Sequence, residues 1–127
     1  MFGSNDLVAF VLTNDAARAK KFYGETLGLR FVSQDDFAVV FDAHGTMLRV
    51  SITANHTPAP HTIIGWQVPD IAAATAELAK AGIALERYSF LAQDETGVWN
   101  APDGAAKVGW FKDPDGNVLS ISQHARE

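Results

Sequence analysis

The sequence is written twice, and that repeat limits the folds open to it. Residues 7 to 13, LVAFVLT, are an apolar run rich in β-branched types, the pattern of a strand covered on both faces. Asp15 then offers a helix N-cap, Ala16, Ala19, Phe22 and Tyr23 recur at helical spacing, and Gly28 supplies the stop. The order returns in the second half. Residues 62 to 68, TIIGWQV, read as a strand, Asp70 is the cap, Ile71, Ala74, Thr75 and Leu78 keep helical spacing, and Gly82 ends the helix. After each stop, Gly28-Leu-Arg-Phe31 and Gly82-Ile-Ala-Leu85 lead into an extended segment.

Each half then closes on a hairpin. The turns are Asp42-Ala-His-Gly45, before TMLRVSI, and Asp113-Pro-Asp-Gly116, before NVLSISQ, with Asp and Gly where tight turns favour them. The second half is longer because of residues 89 to 105, SFLAQDETGVWNAPDGA, which read as a loop with one short strand leading into Ala101-Pro-Asp-Gly104. A doubled β-α-β-β-β unit is too short for two domains, and one helix per half covers one face of its sheet. The expectation is one α+β domain over residues 1–127, with module 1 at about 5–55 and module 2 at about 60–124.

Composition narrows the partners. With 47% apolar residues and no cysteine, the chain needs no disulfide staples and has no thiolate metal site or cysteine nucleophile. A net charge of -5 with scattered Lys and Arg argues against nucleic acid. No apolar run reaches the roughly 20 residues of a membrane span, and MFGSNDL lacks the order of a signal peptide, so a cytoplasmic location is expected.

Phe22-Tyr23 before Leu27-Gly28, the Val68-Pro-Asp70 entry to the second helix, and WFKDPDGN at 110 to 117 resemble the vicinal oxygen chelate superfamily of glyoxalases, bleomycin-resistance proteins and dioxygenases. The resemblance covers nearly the whole chain. It implies two βαβββ modules forming a curled eight-stranded mixed sheet around a cleft. In metal-dependent relatives the first and last strand of each module supply one ligand each. Here those positions fall on Val8 and Ile63, which have no donor atom, and on Arg49 and Ser120, where relatives hold glutamate. A guanidinium repels a divalent ion, so the resemblance implies no metal, no other cofactor, and no ordinary metal-dependent glyoxalase or dioxygenase. His61 cannot stand in, because two strand residues displace a side chain by about 6.7 Å. His44, His56 and His124 fall in a turn, a Pro-flanked loop and the tail, and are expected in solvent.

If Val8 occupies the ligand position, alternation places Val8, Phe10 and Leu12 on the cleft face, with Met47, Arg49 and Ser51, then Ile63, Gly65 and Gln67, then Val118, Ser120 and Ser122. Trp66 and Trp110 alternate to the helix side, and Trp99 lies in the insertion, able to wall the cleft mouth. The expected ligand-binding residues are therefore Val8, Phe10, Arg49, Ile63, Gln67, Trp99, Ser120 and Ser122, with catalytic residues unassigned. Two functions stay open. One is a metal-independent protein enclosing an apolar or oxygen-bearing small molecule, as the resemblance to bleomycin-resistance proteins implies. The other is a lyase, isomerase or dioxygenase-like enzyme of the same superfamily, working without the usual metal or with an atypical one. The resemblance also implies a homodimer.

Overall fold

Asp15 and Asp70 start the two helices as expected. Each holds extended backbone, and each carboxylate accepts a bond from the first turn, Asp15 from Arg18 N and Asp70 from Ala73 N. In this computed structural model, which describes residues 1–125, β1 (Val8–Thr13) leads to α1 (Ala16–Lys21), then β2 (Arg30–Gln34), β3 (Ala38–Ala43) and β4 (Thr46–Ile52). The second run is β5 (Thr62–Gln67), α2 (Ile71–Lys80), β6 (Trp99–Asn100), β7 (Ala106–Lys112) and β8 (Val118–His124). The architecture is α+β, two βαβββ modules. One sheet has the order β1-β4-β3-β2 and the other β5-β8-β7-β6, each with one parallel pair between its first and last strands. Gly28 and Gly82 hold φ of 76° and 81° at the helix stops, left-handed values that a side chain would strain.

The chain divides into two compact units, 1–58 together with 114–117, and 59–113 together with the residues from 118 on. In the first, Val11, Leu48, Val50, Val39 and Phe41 form the buried side of the sheet, and α1 packs on β3 and β4. The helix departs from its predicted length. After Lys21 the chain widens into a π-helical turn, Phe22–Thr26, with Leu27 N donating to Phe22 O at 2.9 Å. The wider turn lets two consecutive rings, Phe22 and Tyr23, both reach the core, edge to face at 5.1 Å.

In the second unit α2 lies on β7 and β8, over Phe111, Leu119 and Ile121. The extended segment expected after Gly82 makes no strand of its own. Glu86 N donates to Trp110 O at 2.6 Å, and Trp99–Asn100 complete the same edge of β7. The two hairpins also differ despite their similar sequences. Ala43 pairs with Thr46 around a two-residue turn, His44-Gly45, both at positive φ, whereas Lys112 pairs with Val118 around a five-residue loop. That loop is buried at both ends, with Asp113 and Asn117 almost inaccessible.

Candidate functional site

On the first sheet the register sets Val8 beside Met47, Phe10 beside Arg49 and Leu12 beside Ser51, with Val40 flanking Arg49 from β3. This is the face opposite α1, and its apolar side chains are open: Phe10 is 60% exposed and Met47 43%. Val8 and Met47 line a hollow of about 450 Å³ with Leu7, Val40 and the Arg30–Asp42 ion pair, 3.5 Å apart. Arg49, half-buried between Phe10 and Val40, makes no hydrogen bond or ion pair within 4 Å among the described residues. Its charge still reaches Asp35. The Asp35 carboxyl lies below its usual range chiefly because Phe37 N and Ala38 N donate to it, with Arg49 adding a smaller pull against the cost of desolvation.

On the second sheet one cross-strand row runs Gly65, Ser120, Trp110, and the next runs Gln67, Ser122, Val108, Trp99. Two expectations change here. Trp110 shares the face of Ser120 and not the helix side, because Phe111, its neighbour, pairs with Leu119 in the core. Ile63 falls at a bulge: Thr62 pairs with Val118 and Ile64 with Leu119, so Thr62 takes the place in the ladder that strict alternation gives Ile63. Trp66, opposite Ile121, lies on the helix side as expected.

Ser120 lies over bare backbone. A Cβ built on Gly65 would sit 2.2 Å from Ser120 Oγ, so the hydroxyl occupies the space of the missing side chain. Beside it runs a chain of rings. Trp99 and Trp110 are 6.3 Å apart and tilted by 42°, Tyr88 meets Trp110 edge to face at 5.6 Å, and Phe90 lies 5.6 Å from Tyr88. Tyr88 is thus part of this wall, a role its sequence position did not suggest.

The insertion that carries these rings is tied down by two side chains. Gln93 receives Tyr88 N on Oε1 at 2.8 Å and donates through Nε2 to Glu86 O and Gly97 O, bridging the two arms of the loop. Asp94 accepts from the Thr96 hydroxyl, Thr96 N and Val98 N, and these donors hold its carboxyl below the usual range, the Thr96 hydroxyl contributing most. An amide at the centre of a polar loop was the available signal for Gln93.

Of the histidines expected in solvent, His44 and His124 are exposed and His56 is not. His124 is the last residue of β8, its Nε2 3.0 Å from Ser122 Oγ. His56 is half-buried in the first unit. Asn117 Nδ2 donates to Leu12 O at 2.8 Å, which turns Asn117 Oδ1 toward His56, so His56 Nε2 carries the proton of their 2.7 Å bond. His56 Nδ1 is buried without a partner.

Two further hollows, of about 530 and 570 Å³, flank α2 and α1 and contain none of the expected residues. The superfamily's metal does not fit the side chains at its four positions. Val8 and Ile63 have no donor, Arg49 is cationic and Ser120 is a neutral hydroxyl. Among the described residues no three of His, Cys, Asp or Glu gather elsewhere to replace them.

Solved structures share the fold. TnmS3, an antibiotic binding protein from Streptomyces sp. CB03234, superposes with a TM-score of 0.74 at 23% identity, covering 98% of this chain and 99% of its own. A superfamily member from Sphaerobacter thermophilus DSM 20745 gives 0.74 at 21%, covering 98% and 100%. Lactoylglutathione lyase from Agrobacterium tumefaciens gives 0.72 at 16%, covering 94% and 93%. At such identities the likeness concerns the fold alone. No curated protein sequence matches the chain. The family model of the Glyoxalase/Bleomycin resistance protein/Dioxygenase superfamily matches residues 6–121, and the chain belongs to that superfamily.

Proposed function

We propose that the protein binds an apolar or oxygen-bearing small molecule without a metal ion, in the manner of the superfamily's resistance proteins. The observation that carries this reading is the face of the second sheet, where the tilted pair Trp99 and Trp110 shares two cross-strand rows with the uncharged polar side chains Gln67, Ser120 and Ser122. Apolar walls with a few placed polar groups are the make-up of a ligand site. The similarity of fold to an antibiotic binding protein supports the same reading. On the first sheet Val8, Phe10 and Arg49 form a second contact surface, whose guanidinium can hold a carboxylate or a pair of oxygens. Ile63, displaced at its bulge, is the weakest member of the expected set. We place the protein in the cytoplasm as a homodimer.

One observation favours an enzyme. Ser122 Oγ and His124 Nε2 are 3.0 Å apart, the reach of a nucleophile and its base. One experiment separates the readings. Purified protein with less than about one tenth equivalent of zinc, nickel, iron or manganese should show ligand-dependent tryptophan quenching and a thermal upshift. Substrates with reactive carbonyl, epoxide or cleavable ring groups should give no product. Product formation abolished in Ser122→Ala would establish the enzyme, and stoichiometric metal surviving dialysis would remove the metal-independent reading.

A further inference from the structure

The small-molecule reading leaves the ligand's chemistry open, and the second sheet restricts it. Trp110 and Trp99, both half-buried, lie on the Ser120 face of that sheet with their rings tilted by 42°, and Tyr88 turns its ring at 85° to Trp110. A flat conjugated partner gains from such walls through offset and edge contacts, whereas a saturated ring of equal size gains only area. Across the sheet from Trp110 and Trp99, Ser120 and Ser122 stand two residues apart on one strand, a step of about 6.7 Å. Ser120 Oγ makes no hydrogen bond among the described residues, and Gly65 beneath it adds no side chain to block a ligand's edge.

The rows through Ser120 and Ser122 contain Gly65, Gln67, Val108, Trp99 and Trp110, none of them ionisable. The nearest ionisable side chain is His124, whose Nε2 lies 3.0 Å from Ser122 Oγ, while Lys112 and Glu86 face each other at 3.6 Å. A ligand with an anion at each oxygen would lose water at both and meet a single imidazole, at the Ser122 end, with no partner at the Ser120 end.

We propose, resting on the binding reading above, that the second sheet takes a flat conjugated ring system with two uncharged oxygens along one long edge. The rings lie against Trp110 and Trp99, and the oxygens meet Ser120 and Ser122. The match of oxygen spacing to the strand step selects the probe 2,7-dihydroxynaphthalene, both of whose oxygens lie on one long edge.

Calorimetric titration of the full chain should show this probe binding about three- to tenfold more tightly than decahydronaphthalene-2,7-diol, the range of one aromatic pair. It should exceed 2-naphthol by about three- to tenfold, the range of one hydrogen bond, and naphthalene-2,7-disulfonate should bind more weakly still. Trp99→Ala should erase the preference over the saturated diol, and Ser120→Ala should narrow the preference over 2-naphthol. Equal affinity for the saturated diol, or tighter binding of the disulfonate, overturns the ligand class while leaving a binding protein. Failure of every naphthalene probe at millimolar concentration also overturns the class. The binding reading is judged separately, by native mass spectrometry of the protein purified with whatever small molecule it retains.

Discussion

A methyl group on Gly65 has nowhere to go while Ser120 keeps its present rotamer, since the built Cβ lies 2.2 Å from Ser120 Oγ and 3.5 Å from Ser120 Cβ. Gly65→Ala should therefore cost about 1 to 3 kcal/mol, the range of overpacking. In a Ser120→Ala background the closest side-chain atom becomes the Cβ, and most of that cost should disappear. Urea unfolding of the two single variants and the double variant measures the coupling. Additive losses would show that the strain comes from backbone, which Ser120 O at 3.2 Å leaves open as a competing cause. Arg49 makes a different demand. With no partner within 4 Å among the described residues, Arg49→Met should leave the melting temperature nearly unchanged and weaken an oxygen-bearing ligand of the first sheet by about 1.5 to 3 kcal/mol. A sharp fall in melting temperature with unchanged affinity would make Arg49 a structural residue.

The loop between β7 and β8 shows how an element can read one way in sequence and act another way in the fold. Asp113-Pro-Asp-Gly116 has the letters of a tight turn, and it marks the superfamily, yet its middle residues group with the first unit. Asp115, its side chain only 2% exposed, accepts from Thr13 Oγ1 at 2.6 Å, Asn14 N at 3.2 Å and Arg18 Nη2 at 2.7 Å. These groups stand where β1 passes into α1, so the carboxylate fixes the entry to the helix. Asp115→Ala should cost about 2 to 4 kcal/mol, because a buried charge-assisted set is lost and the buried Thr13 hydroxyl keeps only its longer 3.1 Å contacts with the Asp15 backbone. Hydrogen exchange should report the loss first at the start of α1; unchanged protection there would mean that Asp15 alone sets the cap. The strands and caps were legible because apolar runs and Asp-to-Gly spacing are local signals. The role of Asp115 was not, since its partners lie about a hundred positions away and no periodicity encodes them. The same limit hid the bulge at Ile63 and the face of Trp110, both set by register against β8.

At the scale of the molecule, the repeat gave the βαβββ order twice, and the superfamily match agrees with it. What the repeat could not foretell is how much apolar surface the chain leaves uncovered. Val8, Phe10 and Leu12 on β1 are 37%, 60% and 41% exposed, Met47 beside Val8 is 43% exposed, and Leu7 just before β1 is 75% exposed. Scattered apolar side chains need no explanation, but these are neighbours in one register, and contiguous patches mark interfaces or ligand surfaces. β1 is also an edge of its sheet. A second copy of the chain supplies an apolar patch of the same kind, and a two-fold axis lets each patch meet its own counterpart. The expected particle is a homodimer of about 27 kDa, twice the 13.7 kDa chain. Phe10→Asp places a charge at the centre of the patch, on an already exposed side chain. It should convert the dimer into a folded monomer in light scattering at tens of micromolar, with circular dichroism unchanged. A dimer that survives Phe10→Asp would move the interface off β1 and leave Phe10 to the ligand alone, and a wild-type monomer at the same concentration would end the claim of assembly.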